Sequence, residues 1–106
     1  MTYTQFTDAV EAAKAYPTAE EYIDANAYPE REISPRLQIA RARILWNFAA
    51  GRPALEIVRA AGMTATAFCK KYQIARRTFD NWSNGVRMPP AHVLPPLVYA
   101  LISDIV

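Results

Sequence analysis

Residues 62–89 read GMTATAFCKKYQIARRTFDNWSNGVRMP, and the rest of the chain is best understood outward from this stretch. The Thr64 hydroxyl can accept from the backbone N–H groups that a helix start leaves unpaired, so a helix is predicted from there to about Tyr72. At 100° per residue, Ala65, Phe68, Cys69 and Tyr72 fall within about 100° of arc, while Lys70 and Lys71 project elsewhere. This helix has one face to bury. Gln73-Ile74 leaves room only for a tight connection. A second short helix is predicted from Ala75 to about Ser83, stopped by Asn84-Gly85, a pair suited to a left-handed C-terminus. On it Ala75, Thr78, Phe79 and Trp82 share one side, and Arg76, Arg77, Asp80, Asn81 and Asn84 share the other. Two short helices with so short a link cannot lie antiparallel, so a steep, helix-turn-helix crossing is expected.

The outer side of the second helix has the chemistry of base recognition. In the major groove of B-form DNA, guanine offers two acceptors to an arginine fork, and adenine offers a donor and an acceptor to an asparagine amide. Arg76, Arg77 and Asn81 are suited to that reading; Lys70, Lys71 and Arg87 are better placed for phosphates. Asp80 would repel phosphate unless it pairs with Arg76 or Arg77, or accepts from a cytosine amino group.

Charge follows the same division. The whole chain of 106 residues has 12 Lys plus Arg against 10 Asp plus Glu, a net +2. Residues 62–88 hold Lys70, Lys71, Arg76, Arg77 and Arg87 against Asp80 alone, which is +4 and leaves −2 for everything else. Most acids lie early: Asp8, Glu11, Glu20, Glu21, Asp24, Glu30 and Glu32.

Upstream, breakers and caps predict further short helices and almost no strand. Tyr3 to Tyr16 has Phe6, Val10 and Ala13 at helical spacing and stops at Pro17. Thr18 with Glu21 is a capping-box pair, so a helix over Ala19 to Ala25 is expected. Tyr28 to Pro35 is loop-like and ends in Ser34-Pro35, a cap followed by proline at the first helical position. The helix that follows places Leu37, Ala40, Ile44, Leu45 and Phe48 on one stripe, sets Arg36 and Arg43 apart from it, and closes at Gly51. Pro53 opens another helix, which Gly62 ends. Downstream, Pro95-Pro96 predicts a turn around Ala91 to Leu94 and a helix from about Pro96 to Ser103.

From Leu55 to Leu101 the chain resembles the lambda-repressor-like, or Cro/Xre, helix-turn-helix family. The likeness rests on Gly62-Met63-Thr64, on Phe68-Cys69-Lys70-Lys71-Tyr72-Gln73-Ile74, on Thr78-Phe79-Asp80-Asn81-Trp82-Ser83-Asn84-Gly85, and on Arg87 and Pro89. The family pattern has an apolar first helix ending at Gly-Leu-Thr, a Leu-Ala pair in the second, and Thr-Ile-x-x-Trp-Glu-Asn-Gly in the third; the spacing agrees without a gap. The resemblance implies an all-α helix-turn-helix bundle over residues 52–106 carrying an N-terminal helical extension over residues 1–51. It implies base reading by Arg76, Arg77 and Asn81, backbone contacts from Thr64, Lys70, Lys71, Asn84 and Arg87, and a core of Phe68, Ile74, Phe79 and Trp82. The chain departs from the family at several positions: Ala65 stands where a glutamine often clamps a phosphate, Ala67 where a glutamate is usual, Ala75 where Ser or Thr caps the recognition helix, and Pro95-Pro96 interrupt what is normally one continuous last helix.

The function expected is a sequence-specific, double-stranded DNA-binding transcriptional regulator of bacterial or phage type, acting as a repressor in the cytoplasm without a cofactor. One short recognition helix reads only a few base pairs, so a homodimer on a pseudo-palindrome is expected. The apolar tail, Leu97, Val98, Leu101, Ile102, Ile105 and Val106, is its candidate interface together with the N-terminal helices. The competing reading is a protein-interaction module, such as an antitoxin or antirepressor, that uses the helix-turn-helix scaffold to bind another protein, with the acidic residues 1–51 as a further surface for a protein partner. One Cys and one His supply neither a disulfide nor a metal site, Cys69 reads as a buried structural thiol, and no phosphate loop or paired nucleophile and base points to an enzyme. No apolar run is long enough for a membrane span, and the N-terminus lacks the basic and apolar regions of a signal peptide.

Overall fold

The computed structural model describes residues 1–26 and 33–105. Residues 28–32 of the expected loop and the terminal Val106 lie outside the described residues. Seven α-helices are described: α1 (Tyr3–Ala13), α2 (Ala19–Asn26), α3 (Pro35–Ala49), α4 (Ala54–Ala60), α5 (Ala65–Tyr72), α6 (Arg76–Asn84) and α7 (Leu94–Ile105). The all-α expectation holds.

Local chemistry sets the helix starts. Thr2 and Gln5 form a reciprocal capping box, with the Gln5 N–H donating to Thr2 Oγ1 at 3.1 Å and the Thr2 N–H to Gln5 Oε1 at 2.8 Å. Thr18 accepts from the Glu21 N–H, Ser34 from the Leu37 N–H and Thr64 from the Ala67 N–H, at 3.1 to 3.2 Å. Gly51, Gly62 and Gly85 follow α3, α4 and α6 with φ of 69°, 76° and 81°, the left-handed turn that releases the chain from each helix.

Two boundaries differ from the sequence reading. α1 ends at Ala13 instead of running to Tyr16, and the last residues before Pro17 are held by turn hydrogen bonds to Glu11, Ala12 and Ala13 carbonyls. α7 begins at Leu94, so both prolines lie inside its first turn. They fit there because the first N–H groups of a helix have no intrahelical acceptor, and proline removes a donor that was unpaired anyway.

α3 is the centre of the molecule. It packs against α1, α2, α4 and α7, while α4 packs on both α5 and α6. Ile44 is 0% exposed, and Phe6, Phe79, Leu101 and Ile102 are each 1% exposed, in a core cluster that crosses residue 51 without a break. The radius of gyration is 13.3 Å, which a single compact body of this length has (about 13 Å) and two separate units would exceed. Aromatic contacts join the ends of the chain: Phe6 stacks on Phe48 at 6.0 Å and meets Tyr99 edge-on at 5.6 Å, and the Tyr99 hydroxyl donates to the Met1 carbonyl at 2.8 Å. The Trp46 indole N–H donates to the Tyr16 carbonyl at 2.9 Å, tying α3 to the α1–α2 turn.

The apolar tail requires a correction at three of its six positions: Val98, Leu101 and Ile102 are buried in the chain's own core and are not open to a second copy, while Leu97 and Ile105 are half-buried and Val106 lies outside the described residues. Among the described residues, no helix is long and apolar enough to cross a membrane.

Candidate nucleic-acid interface

The link between α5 and α6 is three residues long. Gln73 adopts φ 55° and ψ 47°, and both its N–H and that of Ile74 turn back to the Cys69 carbonyl. This left-handed cap reverses the chain so that Ala75, in extended conformation, starts α6 without a side-chain cap, as the sequence suggested. Phe68 and Phe79 lock the two helices with ring centroids 5.4 Å apart, and Phe68 also meets Tyr72 at 4.9 Å. Ala65, Phe68 and Cys69 are buried and Tyr72 is half-buried, matching the face read from their spacing. Burial raises the Cys69 thiol above its ordinary range, which keeps it protonated and chemically quiet.

α6 is more prominent than its pattern implied. Phe79 is buried and Trp82 half-buried, but Ala75 and Thr78, expected on the inner side, are exposed. α6 is thus anchored by Phe79 at the end of its first turn and by the half-buried Trp82 in its second, with Arg76, Arg77 and Thr78 open at its start. Arg76, Arg77, Asp80 and Asn84 are exposed and Asn81 is half-buried. Arg77, Thr78, Asn81 and Arg87 line an open groove of about 540 Å³ together with Trp82, Met88, Pro90 and Val93. The Arg87 N–H donates to the Asn81 carbonyl at 3.2 Å, and the Val86 N–H to Asn84 Oδ1 at 3.1 Å, so the loop after α6 is held beside the helix. The Asn84 amide N–H₂ remains available to an outside acceptor.

The five cations of this region fall into two groups. Lys71 pairs with Asp104 of α7 at 3.4 Å, and Arg76 pairs with Asp80 at 2.9 Å. The Asp104 carboxyl also accepts from the Tyr72 hydroxyl; this bond first, and Lys71 second, hold Asp104 below the ordinary carboxylate range. Lys70, Arg77 and Arg87 are exposed and make no side-chain ion pair or hydrogen bond among the described residues. Of the expected phosphate ligands, Lys70 and Arg87 are therefore uncommitted, Lys71 is directed toward α7, and Thr64 accepts at its cap while its O–H can still donate.

Two residues escaped the sequence reading. The Thr66 hydroxyl accepts from Arg76 Nη1 at 2.9 Å, joining the starts of α5 and α6, and Arg59 of α4 lines the same shallow groove as Thr64, Thr66 and Arg76. Neither is marked by spacing, since Thr66 and Arg76 are ten residues apart on different helices. Val86 and Met88, beside Arg87, are 67% and 84% exposed and form an apolar edge to this side of the molecule. The chain matches no known protein family, no characterised protein and no solved structure.

Proposed function

We propose that this protein is a sequence-specific, double-stranded DNA-binding transcriptional regulator of repressor type, working in the cytoplasm, with α5 and α6 as a helix-turn-helix and α6 entering the major groove. One observation carries the reading: a short helix anchored from beneath by Phe79 carries Arg76 and Arg77 exposed in its first turn and Asn81 half-buried in its second, while Lys70 and Arg87 flank it uncommitted. Phosphates would be neutralised by Lys70 and Arg87, with hydrogen bonds from the Thr64 hydroxyl and the Asn84 amide. Bases would be read by the fork of Arg77, the amide of Asn81 and Arg76. A helix this short requires a second copy for useful specificity, so the reading includes a homodimer on a two-fold site.

Selection from a random duplex library, followed by sequencing, tests this reading. A recovered pseudo-palindrome, bound with an affinity that falls steeply with salt, is the expected result. Failure to bind any duplex at low salt would overturn it. The exposed Val86 and Met88 favour a second reading, a protein-interaction module of the antitoxin or antirepressor kind that presents this apolar edge to another protein. That reading predicts no DNA binding at low salt and a partner complex broken by Met88→Ser.

A further inference from the structure

We infer that Arg76 and Asp80, braced by Thr66, form one composite reader of a single G·C base pair, Arg76 donating to the guanine and Asp80 accepting from the amino group of the paired cytosine. The inference rests on the DNA-binding reading above and names what one part of that surface recognises. Arg76 Nε donates to Asp80 Oδ1 at 2.9 Å and its Nη1 donates to Thr66 Oγ1 at 2.9 Å. The guanidinium plane is thus fixed at two points on two helices, where a lone surface arginine would sample many rotamers. Two of its five N–H donors are engaged by these bonds; the other three, on Nη1 and Nη2, have no acceptor among the described residues. The second carboxylate oxygen of Asp80 has no hydrogen bond among the described residues. Both side chains are about half exposed, at 54% and 51%, so the pair is open to an incoming partner.

The braced pair holds free donors on Arg76 beside a free acceptor on Asp80. In the major groove a G·C pair presents two acceptors, guanine N7 and O6, followed by a donor, the cytosine N4 amino group. An A·T pair presents acceptor, donor, acceptor and a methyl group, which mismatches that array at its second and third positions. Asp80 also makes the unit a poor phosphate ligand, because its carboxylate would meet a like charge at the backbone. Arg77, the adjacent residue, makes no such bonds among the described residues. Holding Arg76 in its bound orientation lowers the ordering cost on binding, which makes Thr66 a positioning residue for base discrimination.

The test uses the full chain and a duplex recovered by selection, carrying two base analogues placed one position at a time. 7-Deazaguanine lacks the N7 acceptor. N4-methylcytosine keeps its remaining amino hydrogen in the Watson–Crick bond and offers none to the groove. The wild-type protein should lose about tenfold or more in affinity with either analogue, and both losses should map to the same base pair. Arg76→Ala should be insensitive to the first analogue there and Asp80→Ala to the second. Thr66→Val should weaken both discriminations, Thr66→Ser should restore them, and circular dichroism should report the same helix content in all variants. Full discrimination by Thr66→Val, or sensitivities of Arg76 and Asp80 that map to different base pairs, would overturn the composite reader while leaving DNA binding intact. Recovery of no duplex by the wild type would overturn both proposals.

Discussion

If α3 is the centre of one cooperative core, a cavity made in it must weaken both ends of the chain equally. Ile44 is the sharpest probe, because it is fully enclosed at 0% exposure on the helix that meets α1, α2, α4 and α7. Ile44→Ala removes the two γ carbons and the δ carbon, each contributing about 0.8 kcal/mol in transfer free energy. The unfilled cavity brings the loss into a range of about 2–5 kcal/mol. With a loss of about 3 kcal/mol and a urea slope of about 1.5 kcal/mol/M, the midpoint should fall by about 2 M. The chain has one tryptophan on each side of the question. Trp46 is on α3, bonded to the Tyr16 carbonyl, and Trp82 is on α6. Fluorescence of Trp46→Phe reports Trp82 alone, and that of Trp82→Phe reports Trp46 alone. Adding Ile44→Ala to each should lower both midpoints by the same amount. A Trp82 transition that stays in place while that of Trp46 falls would refute the single core, and the α5–α6 unit would then be a separate folding unit joined to α1–α3.

Other consequences follow from the same geometry. Gly85→Ala should cost about 1 kcal/mol and several degrees of thermal midpoint, because φ is 81° and a Cβ there meets nothing within 4 Å, so the penalty is backbone strain alone; an unchanged midpoint would mean that α6 ends without its left-handed turn. The Tyr72–Asp104–Lys71 contact between α5 and α7 stabilises the fold in the direction set by Asp104, whose carboxyl is lowered in the folded state. Its contribution is fully present above the ordinary carboxylate range and is lost as pH falls through the lowered value, so Asp104→Asn should flatten the acid limb of the urea midpoint against pH; superimposable limbs would rule the contact out. On a selected duplex Arg77→Ala should cost about 1–3 kcal/mol and relax preference at one position. Lys70→Ala should weaken all sequences alike and reduce the salt slope by about 1, and equal loss of specificity in both variants would refute the division between bases and phosphates.

The helices were legible because their signals are local. Thr18, Ser34 and Thr64 cap by bonding to an N–H three residues on, and Gly51, Gly62 and Gly85 release the chain, so each boundary is written within a few residues. The role of α3 was not legible. A single apolar stripe through Leu37 and Ala40 was expected, yet Gln38 is 2% exposed, its amide donating to the Ile33 carbonyl at 2.8 Å, and Ala42 is buried while Leu37 and Ala40 are only half-buried. A helix enclosed on more than one flank buries polar and small residues that periodicity assigns to its surface. The Thr66 tie to Arg76 was hidden for a different reason, since it depends on how two helices cross and not on spacing along either one. Asp80 needs a partner to sit on a phosphate-facing helix, and Arg76 meets that need.

Cys69 lies between α5 and the rest of the core, 7% exposed and held as a neutral thiol. Because it is the chain's sole cysteine, its rate of alkylation by a maleimide becomes a clock for how often α5 lifts away from its neighbours. A ligand that rests across α5 and α6 together would slow that clock, while one that holds only the N-terminal helices would leave it running.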